Sequence, residues 1–432
     1  MDTNQLQIIA INLTRRCNLS CEHCYLDADE LNTPSANELS TQDVKDLLDQ
    51  IAQHHEGTMI VLTGGEPLIR TDLEQLCSHG KSLGLMVVIG SNGALLTERR
   101  VISLKNAGAM GIGISVDSLD PARHDAFRGQ TGSWLKTMSG IEHCRKHQLD
   151  FQIHFSITDD NHHEIEDIIN FAEMSGARVV NFFFIICTGR AESVGNISTV
   201  NYEAGIKKII ECQNKYENLI IRPRCAPYFK RVAWQMAPES ALNRISGQEG
   251  DGCIAGTHYC RVTPEGDVTA CPYIEKTVGN IKQQDFQTIW NTAEDFLSLR
   301  NPQLTGKCGE CEFQKLCGGC RARPLAAGKQ LMDEDTSCGY IPHHGDIIEP
   351  VTDFETANLI WSDDASKKLN RIPGFIRNMV KKRTETYVLD LGEELITIAH
   401  MQQLSAKRFG NNLPWKRPQT VTNSDSESGE NP

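Results

Sequence analysis

Three cysteines stand close together near the start of the chain, in Leu13-Thr14-Arg15-Arg16-Cys17-Asn18-Leu19-Ser20-Cys21-Glu22-His23-Cys24-Tyr25. Their C-x3-C-x2-C spacing lets three thiolates converge on one metal centre at little loop-closure cost. The segment offers no fourth cysteine, and His23 adjoins Cys24, where neighbouring side chains rarely face the same ion. A structural zinc site needs four ligands and closure. An iron–sulfur cubane can take three thiolates and leave one iron open to a small molecule, although four are the rule. Spacing alone keeps a partial zinc site, or three unrelated thiols, as alternatives.

About forty residues on comes Thr63-Gly64-Gly65-Glu66-Pro67. With the cysteine triplet, this stretch resembles the radical S-adenosylmethionine (AdoMet) enzymes, over roughly the first half of the chain. The resemblance implies that Cys17, Cys21 and Cys24 hold a 4Fe–4S cluster whose open iron is chelated by the amine and carboxylate of AdoMet. It also implies the reaction: one electron cleaves the sulfonium, and the resulting 5′-deoxyadenosyl radical takes hydrogen from an unactivated carbon. Gly64, Gly65 and Glu66 can present backbone groups to the amine because glycine permits close approach, and Pro67 fixes the following turn. Ser115 and Arg128 match the family positions that contact the AdoMet carboxylate and ribose, and a guanidinium suits a carboxylate. The plain alternatives are a strand-end turn for Ser115 and a surface ion pair for Arg128. His23 is expected beside the adenine, mostly through its backbone. Phe182 and Phe184 are expected along the adenine side, with apolar core as the competing role for at least one of them.

A second set of eight cysteines follows: Cys253, Cys260, Cys271, Cys308, Cys311, Cys317, Cys320 and Cys338. Eight makes two four-thiolate sites with none left over. A zinc site could close on C-x2-C-x5-C-x2-C, but zinc ribbons separate their pairs by a longer loop, and four cysteines would stay idle. The set resembles the SPASM domain that follows many radical AdoMet barrels, with Gly266 to Cys271 as its Gly-x4-Cys. The chain departs from the family pattern in having two residues, not three, between Cys317 and Cys320. The resemblance implies one auxiliary cluster on Cys253, Cys260, Cys271 and Cys320, and a second on Cys308, Cys311, Cys317 and Cys338. Five of the 16 cysteines remain: Cys77, Cys144, Cys187, Cys212 and Cys225. Arginines beside Cys225 could lower its pKa and make it a ligand or a reactive thiol, whereas an inert cysteine in a solvated basic loop is the favoured reading.

Elements must bring these groups together. Apolar runs at Ile8–Leu13, Met59–Leu62, Leu85–Ile89, Gly111–Val116, Phe151–Ile157 and Val179–Ile186 alternate with helical patterns at Thr41–His54, Asp72–Leu83, Glu98–Ala107, Ser133–His147 and Ile165–Met174. Such alternation predicts βα units around a parallel sheet, and six runs fit the partial (β/α)6 barrel of the family. Ligands of parallel sheets collect at the carboxyl ends of strands. The cysteine loop, the Gly-Gly-Glu-Pro turn, Ser91-Asn92-Gly93 and Ser115-Val116-Asp117-Ser118 all follow apolar runs and are expected on one rim.

The expected organisation is an α/β barrel over residues 1–215, a basic connecting segment over 216–250, a cysteine-rich iron–sulfur domain over 251–345 held together by ligation, a short helical domain over 350–410 and a disordered acidic tail over 411–432. A net charge of −13 argues against a nucleic-acid partner. No apolar stretch of ~18 residues occurs for a membrane span, and the N-terminus lacks a secretion pattern. Many cysteines without a secretion signal point to a reducing cytoplasm.

The run Tyr259–Tyr273, with Cys317-Gly-Gly-Cys320-Arg-Ala-Arg323, most resembles SPASM proteins of haem biosynthesis, which implies a tetrapyrrole substrate. Peptide modification is the runner-up, and a non-catalytic iron–sulfur electron carrier a more distant reading. Ferredoxin or flavodoxin is the expected reductant. Arg222, Arg224, Lys230 and Arg231 could clamp substrate carboxylates. Trp361, Ala365, Leu369, Arg371 to Arg377, Glu385 and Ile396-Thr397 resemble a small domain of a protochlorophyllide reductase subunit.

Overall fold

In the computed structural model, residues 5–28, 33–195, 197–216, 219–243 and 252–350 are described, with most of 359–409. The expected acidic tail lies outside the described residues.

The six apolar runs form six parallel strands: β1 (Ile8–Asn12), β2 (Met59–Thr63), β3 (Met86–Ser91), β4 (Gly111–Ser115), β5 (Phe151–Ile157) and β6 (Val179–Phe184), each paired to the next. Between them run α1 (Thr41–His54), α2 (Leu73–Ser82), α3 (Glu98–Ala107), α4 (Pro121–Arg128), α5 (Ser133–Lys146) and α6 (Ile165–Ser175). Local chemistry sets several boundaries. Ser40 and Asp43 cap α1 reciprocally, and Asp120 caps α4, with Pro121 in its first turn. α7 (Thr199–Lys215) leads to β7 (Ile220–Arg224), which pairs in parallel with β6. The basic stretch expected as a connector thus supplies a seventh strand and then α8 (Phe229–Met236). Its short Ile220-Ile221 apolar signal is cut off by Pro223, which sheets tolerate on an edge strand.

The two faces of this sheet differ. Ile9, Ile11, Ile60, Leu62, Val87, Ile89, Ile112, Ile114, Ile153, Phe155, Val180, Phe182 and Ile221 are buried on the helix-covered face. Strand alternation puts Asn12, Thr63, Gly90, Ser115, Gln152, His154, Ser156, Asn181, Arg222 and Arg224 on the other, in lateral register. A parallel sheet buried on both faces reads as continuously apolar; this one is polar inside, towards the carboxyl ends of its strands.

The cysteine-rich region does not stand apart. β8 (Tyr259–Val262) pairs in parallel with β1, and β9 (Asp267–Thr269) and β10 (Gly279–Asn280) extend the same sheet, giving the order β10-β9-β8-β1-β2-β3-β4-β5-β6-β7. α9 (Phe286–Thr292) and α10 (Glu294–Arg300) bury Phe286, Ile289, Trp290, Phe296 and Leu299 in the main core. Ligation was expected to carry this region, but its first half rests on apolar packing. From about 303 to 350 the helices are short, α11 (Gly306–Gly309) and α12 (Ala322–Ala326).

The C-terminal unit has its own small core of Ala365, Leu369, Ile372, Val388, Ile396 and Met401. It contains α13 (Asp363–Asn370) and α14 (Ile398–Phe409), and adds to the expected helices a parallel pair, β11 (Ile360–Trp361) with β12 (Leu395–Ile396). Trp361 donates its indole N–H to Glu385 at 3.0 Å. Much of 373–390, including Phe375, lies outside the described residues.

Candidate functional site

The Cys17–Cys24 loop leaves β1 and is tied to three neighbours before any ligand is considered. Leu13 N–H donates to Thr63 (2.8 Å), while Gly65 and Glu66 N–H donate to the carbonyls of Thr14 (2.7 Å) and Arg16 (2.8 Å). Ser20 and Glu22 N–H reach Arg128 and Phe127 at the end of α4. Arg190 Nε donates to the Cys21 carbonyl at 3.0 Å. The two glycines of the Gly-Gly-Glu-Pro turn are required by this docking. A Cβ on Gly64, whose φ is +141°, would stand 2.6 Å from the Thr14 carbonyl oxygen, and one on Gly65 2.2 Å from that of Arg16. Their first task is therefore to hold the cysteine loop; the N–H groups of Gly65 and Glu66 are already used for it.

Glu66 is fully buried. Its carboxylate accepts from Leu68 N–H (3.1 Å), Asn92 N–H (2.8 Å) and the Ser91 hydroxyl (2.9 Å). Burial pushes its pKa up to about 7 against those donors. It acts as a rivet between the β2 and β3 turns. Asn92 then reaches the loop itself, donating to Asn18 at 2.9 Å and towards the Cys17 sulfur at 3.9 Å.

Arg128 is buried between a carboxylate and a thiol. It pairs with buried Asp117 and donates to the Cys21 sulfur at 3.7 Å. Asp117 also accepts from Ser156 N–H at 2.9 Å. The four strand-end segments predicted to share a rim are thus joined by hydrogen bonds. The surface ion pair weighed for Arg128 is instead an interior one. The three thiols act on one another electrostatically, and burial raises Cys17 to about 12. Donors at Cys17 and a guanidinium at Cys21 suit a group that converts these thiols to thiolates and supplies positive charge, so the donor set fits an iron–sulfur cluster.

Ser115 stands at the end of β4, in register with His154. The His23 ring lies flat on Phe127 at 4.2 Å, with Nδ1 buried and unpartnered. Burial lowers its pKa to about 4, so it is neutral. Phe184 differs from expectation. It is 0% exposed and stacks on Tyr202 at 4.2 Å in the helix-covered core. Phe182 is equally buried, against Phe155. Alternation gives Phe183, beside His154, to the inner face instead.

The later cysteines divide. Cys308, Cys311, Cys317 and Cys338 line one cavity with Tyr228, Arg231 and Lys307, and their thiols act on one another. Four converging thiols around a cavity fit a second cluster. Cys253, Cys271 and Cys320 form another group. Cys260 does not join them. It is 0% exposed in β8, in register with Ile9 on the apolar face, while Tyr259 and Arg261 flank it on the other. Asp335 bridges the two sets, accepting from Cys320 N–H at 2.7 Å while its own N–H donates to the Cys308 sulfur at 3.3 Å.

The basic segment also divides. Lys230 donates to the Leu242 carbonyl at 3.0 Å. Arg231, 2% exposed, pairs with Glu203 at 2.9 Å and lies over Tyr340. Both are engaged within the fold. Arg222 and Arg224 face the barrel interior, where Arg224 donates to Asn181 (2.9 Å), which donates to Gln152 (2.7 Å). His154 lies beside them, its pKa lowered to about 3 by burial and then by Arg224. Asp117, Asp335 and His154 were not singled out from sequence. Each takes its role from partners on other segments of the chain, and only the position of Asp117 just after an apolar run hinted at it.

Comparison with known proteins agrees with this architecture. Residues 11–172 match the Radical SAM superfamily, 253–312 the SPASM iron–sulfur cluster-binding domain, and 361–404 the proto-chlorophyllide reductase 57 kD subunit. The AdoMet-dependent heme synthase of Methanosarcina barkeri is 37% identical over 346 residues, covering 79% of this chain and 98% of that protein. The Fe-coproporphyrin III synthase of the same organism is 27% identical, over 77% of this chain and 85% of its own length. Among solved structures, Streptococcus suis SuiB bound to S-adenosylmethionine superposes with a TM-score of 0.62 at 17% identity, over 78% of each chain. The chain is a radical SAM enzyme of the SPASM type, with 4Fe–4S clusters and AdoMet as its cofactors.

Proposed function

We propose that this enzyme acts on a carboxylated tetrapyrrole in haem-type cofactor biosynthesis, by decarboxylating or trimming side chains. The observation that carries the reading is the polar inner face, with Arg222 and Arg224 at the carboxyl end of β7, in a chain that matches a haem synthase over 98% of that protein's length. A tetrapyrrole pocket needs apolar walls and a few fixed cations. Phe183 and Tyr259 offer the first on the inner face and the arginines the second.

We assign the AdoMet-binding cluster to Cys17, Cys21 and Cys24, and the cofactor contacts to His23, Gly64, Gly65, Ser115 and Arg128. When bound, the cofactors supply a 5′-deoxyadenosyl radical for hydrogen abstraction and auxiliary iron–sulfur outlets for an electron. Arg128 holds positive charge at the Cys21 sulfur, which favours reduction at that site. Glu66 and Asn92 keep the loop in place. The inner-face arginines orient carboxylates. For a propionate, removal of one hydrogen atom and CO2 leaves a vinyl group and one electron, so a one-electron acceptor is required. A ferredoxin or flavodoxin would supply the reducing electron, and cytoplasmic residence suits that supply. Among the described residues no helix is long and apolar enough to cross a membrane.

The test is anaerobic incubation of the reduced enzyme and AdoMet with carboxylated porphyrins, free and iron-loaded, beside a panel of peptides. Loss of CO2 from a porphyrin, matched by 5′-deoxyadenosine, is expected. Inert porphyrins together with hydrogen loss from a peptide would transfer the enzyme to peptide maturation.

A further inference from the structure

We propose that Cys225, and not Cys260, is the fourth thiolate of the group formed with Cys253, Cys271 and Cys320. Family spacing favours Cys260, which stands between Cys253 and Cys271 in sequence, but the strand geometry does not. Cys260 is in the middle of β8, in register with Ile9, and its side chain enters the apolar face covered by α9 and α10. Its flanking residues Tyr259 and Arg261 point to the opposite face. Arg261 reaches Thr269 (3.1 Å) and the Pro272 carbonyl (2.8 Å), on either side of Cys271. The sheet itself therefore separates the Cys260 sulfur from Cys271.

Cys225 is oriented the other way, and by an unusual backbone. It follows β7 at the carboxyl rim with φ +56°, a left-handed conformation that non-glycine residues adopt only when their surroundings enforce it. Here the surroundings do so. The Cys225 carbonyl accepts from the Tyr202 hydroxyl at 2.9 Å and from Arg323 at 3.2 Å. Arg323 lies three residues after Cys320, and Tyr273, two residues after Cys271, lies beside the Cys225 thiol. Two of the three ligand-bearing segments thus converge on this residue. The Cys225 thiol also lies close enough to Cys253, Cys271 and Cys320 to share their electrostatic environment, whereas the charged or titratable neighbours of Cys260 are Arg300 and Tyr259.

The proposal rests on the chain's iron–sulfur chemistry and is independent of its substrate, so its readouts are iron and thiol reactivity. Cys225→Ala, Cys260→Ala and Cys253→Ala are reconstituted anaerobically and assayed for iron, sulfide and the electron paramagnetic resonance of the reduced clusters. Cys225→Ala should lose up to about a third of the iron, or show an altered signal for one cluster, as Cys253→Ala does. Cys260→Ala should match the parent protein. Unchanged iron and spectrum in Cys225→Ala overturn the proposal. Should a variant fail to fold, the native protein decides by alkylation with a small maleimide and peptide mapping. Cys225 should be shielded in the loaded protein and labelled with Cys253 and Cys271 after anaerobic chelation. Labelling of Cys225 in the loaded protein overturns the proposal equally.

Discussion

The N-terminal site places its three cysteines within eight consecutive residues, on a loop hydrogen-bonded to the β2 turn, to the end of α4 and to Arg190. The later thiols are drawn from a stretch of more than a hundred residues, Cys225 to Cys338, in which regular structure thins out after α10. What joins them is a buried polar network: Arg323 on Cys225, Tyr202 and the Phe184 carbonyl, and Asp335 on both Cys320 and Cys308. One site is a short motif presented by a prebuilt frame. The other is an assembly whose geometry depends on several distant segments arriving together. The expectation from this difference is that the chain keeps its fold without the first group, whereas the second region is coupled to its ligands.

Replacing Cys17, Cys21 and Cys24 together with alanine puts the largest effect on this contrast. Formation of 5′-deoxyadenosine should cease, while iron falls from about twelve to about eight per chain if each cluster is a cubane. Cleavage of AdoMet by the triple variant would end the assignment of the N-terminal site.

Arg128→Leu strikes the frame rather than the ligands. It leaves Asp117 buried without its cation, and breaking such a pair costs about 3–5 kcal/mol. Denaturant unfolding of the barrel should report that loss, with the iron bound by the C-terminal cysteines retained. A stability change below ~1 kcal/mol would mean that water replaces the guanidinium and that the site is less enclosed than described.

Gly65→Ala is subtler. Its Cβ meets the Arg16 carbonyl, a backbone atom that can move only by displacing the cysteine loop. Overpacking of this kind costs about 1–3 kcal/mol. AdoMet cleavage should fall at least as steeply as stability, since the displaced loop carries the ligands. Full cleavage with a normal melting temperature would show that the loop does not need its tie to the turn.

The smallest effect is expected at the substrate end. Arg224→Gln keeps a hydrogen-bonding group near Asn181 but removes the charge. Porphyrin binding, followed by the Soret band, should weaken about tenfold, or roughly 1.4 kcal/mol. The same substitution should leave AdoMet cleavage without substrate unchanged. No change in porphyrin affinity would remove Arg224 from the carboxylate site.

Much of the barrel was legible in the chain because its signals are local. Each of the six apolar runs became a strand, and α1 and α3 span the residues that their helical periodicity indicated. The cysteine triplet and the Gly-Gly-Glu-Pro turn were legible for the same reason, since ligand spacing and turn chemistry sit within a few residues. β7 was obscured by Pro223 and its arginines, whose purpose is visible only once the inner face is seen to be polar. Phe184 shows the limit in another form. Its aromatic type suits either an adenine or a core, and strand parity together with Tyr202 decides for the core. Cys260 and Cys225 are the sharpest case. Composition and spacing supplied the number of thiols, but which of them meet depends on a twofold alternation along β8 and on a left-handed residue after β7. Those are properties of backbone direction, set by the pairing of β8 with β1 and by contacts from Tyr202 and Arg323 more than twenty residues away or nearly a hundred, and no local pattern encodes them.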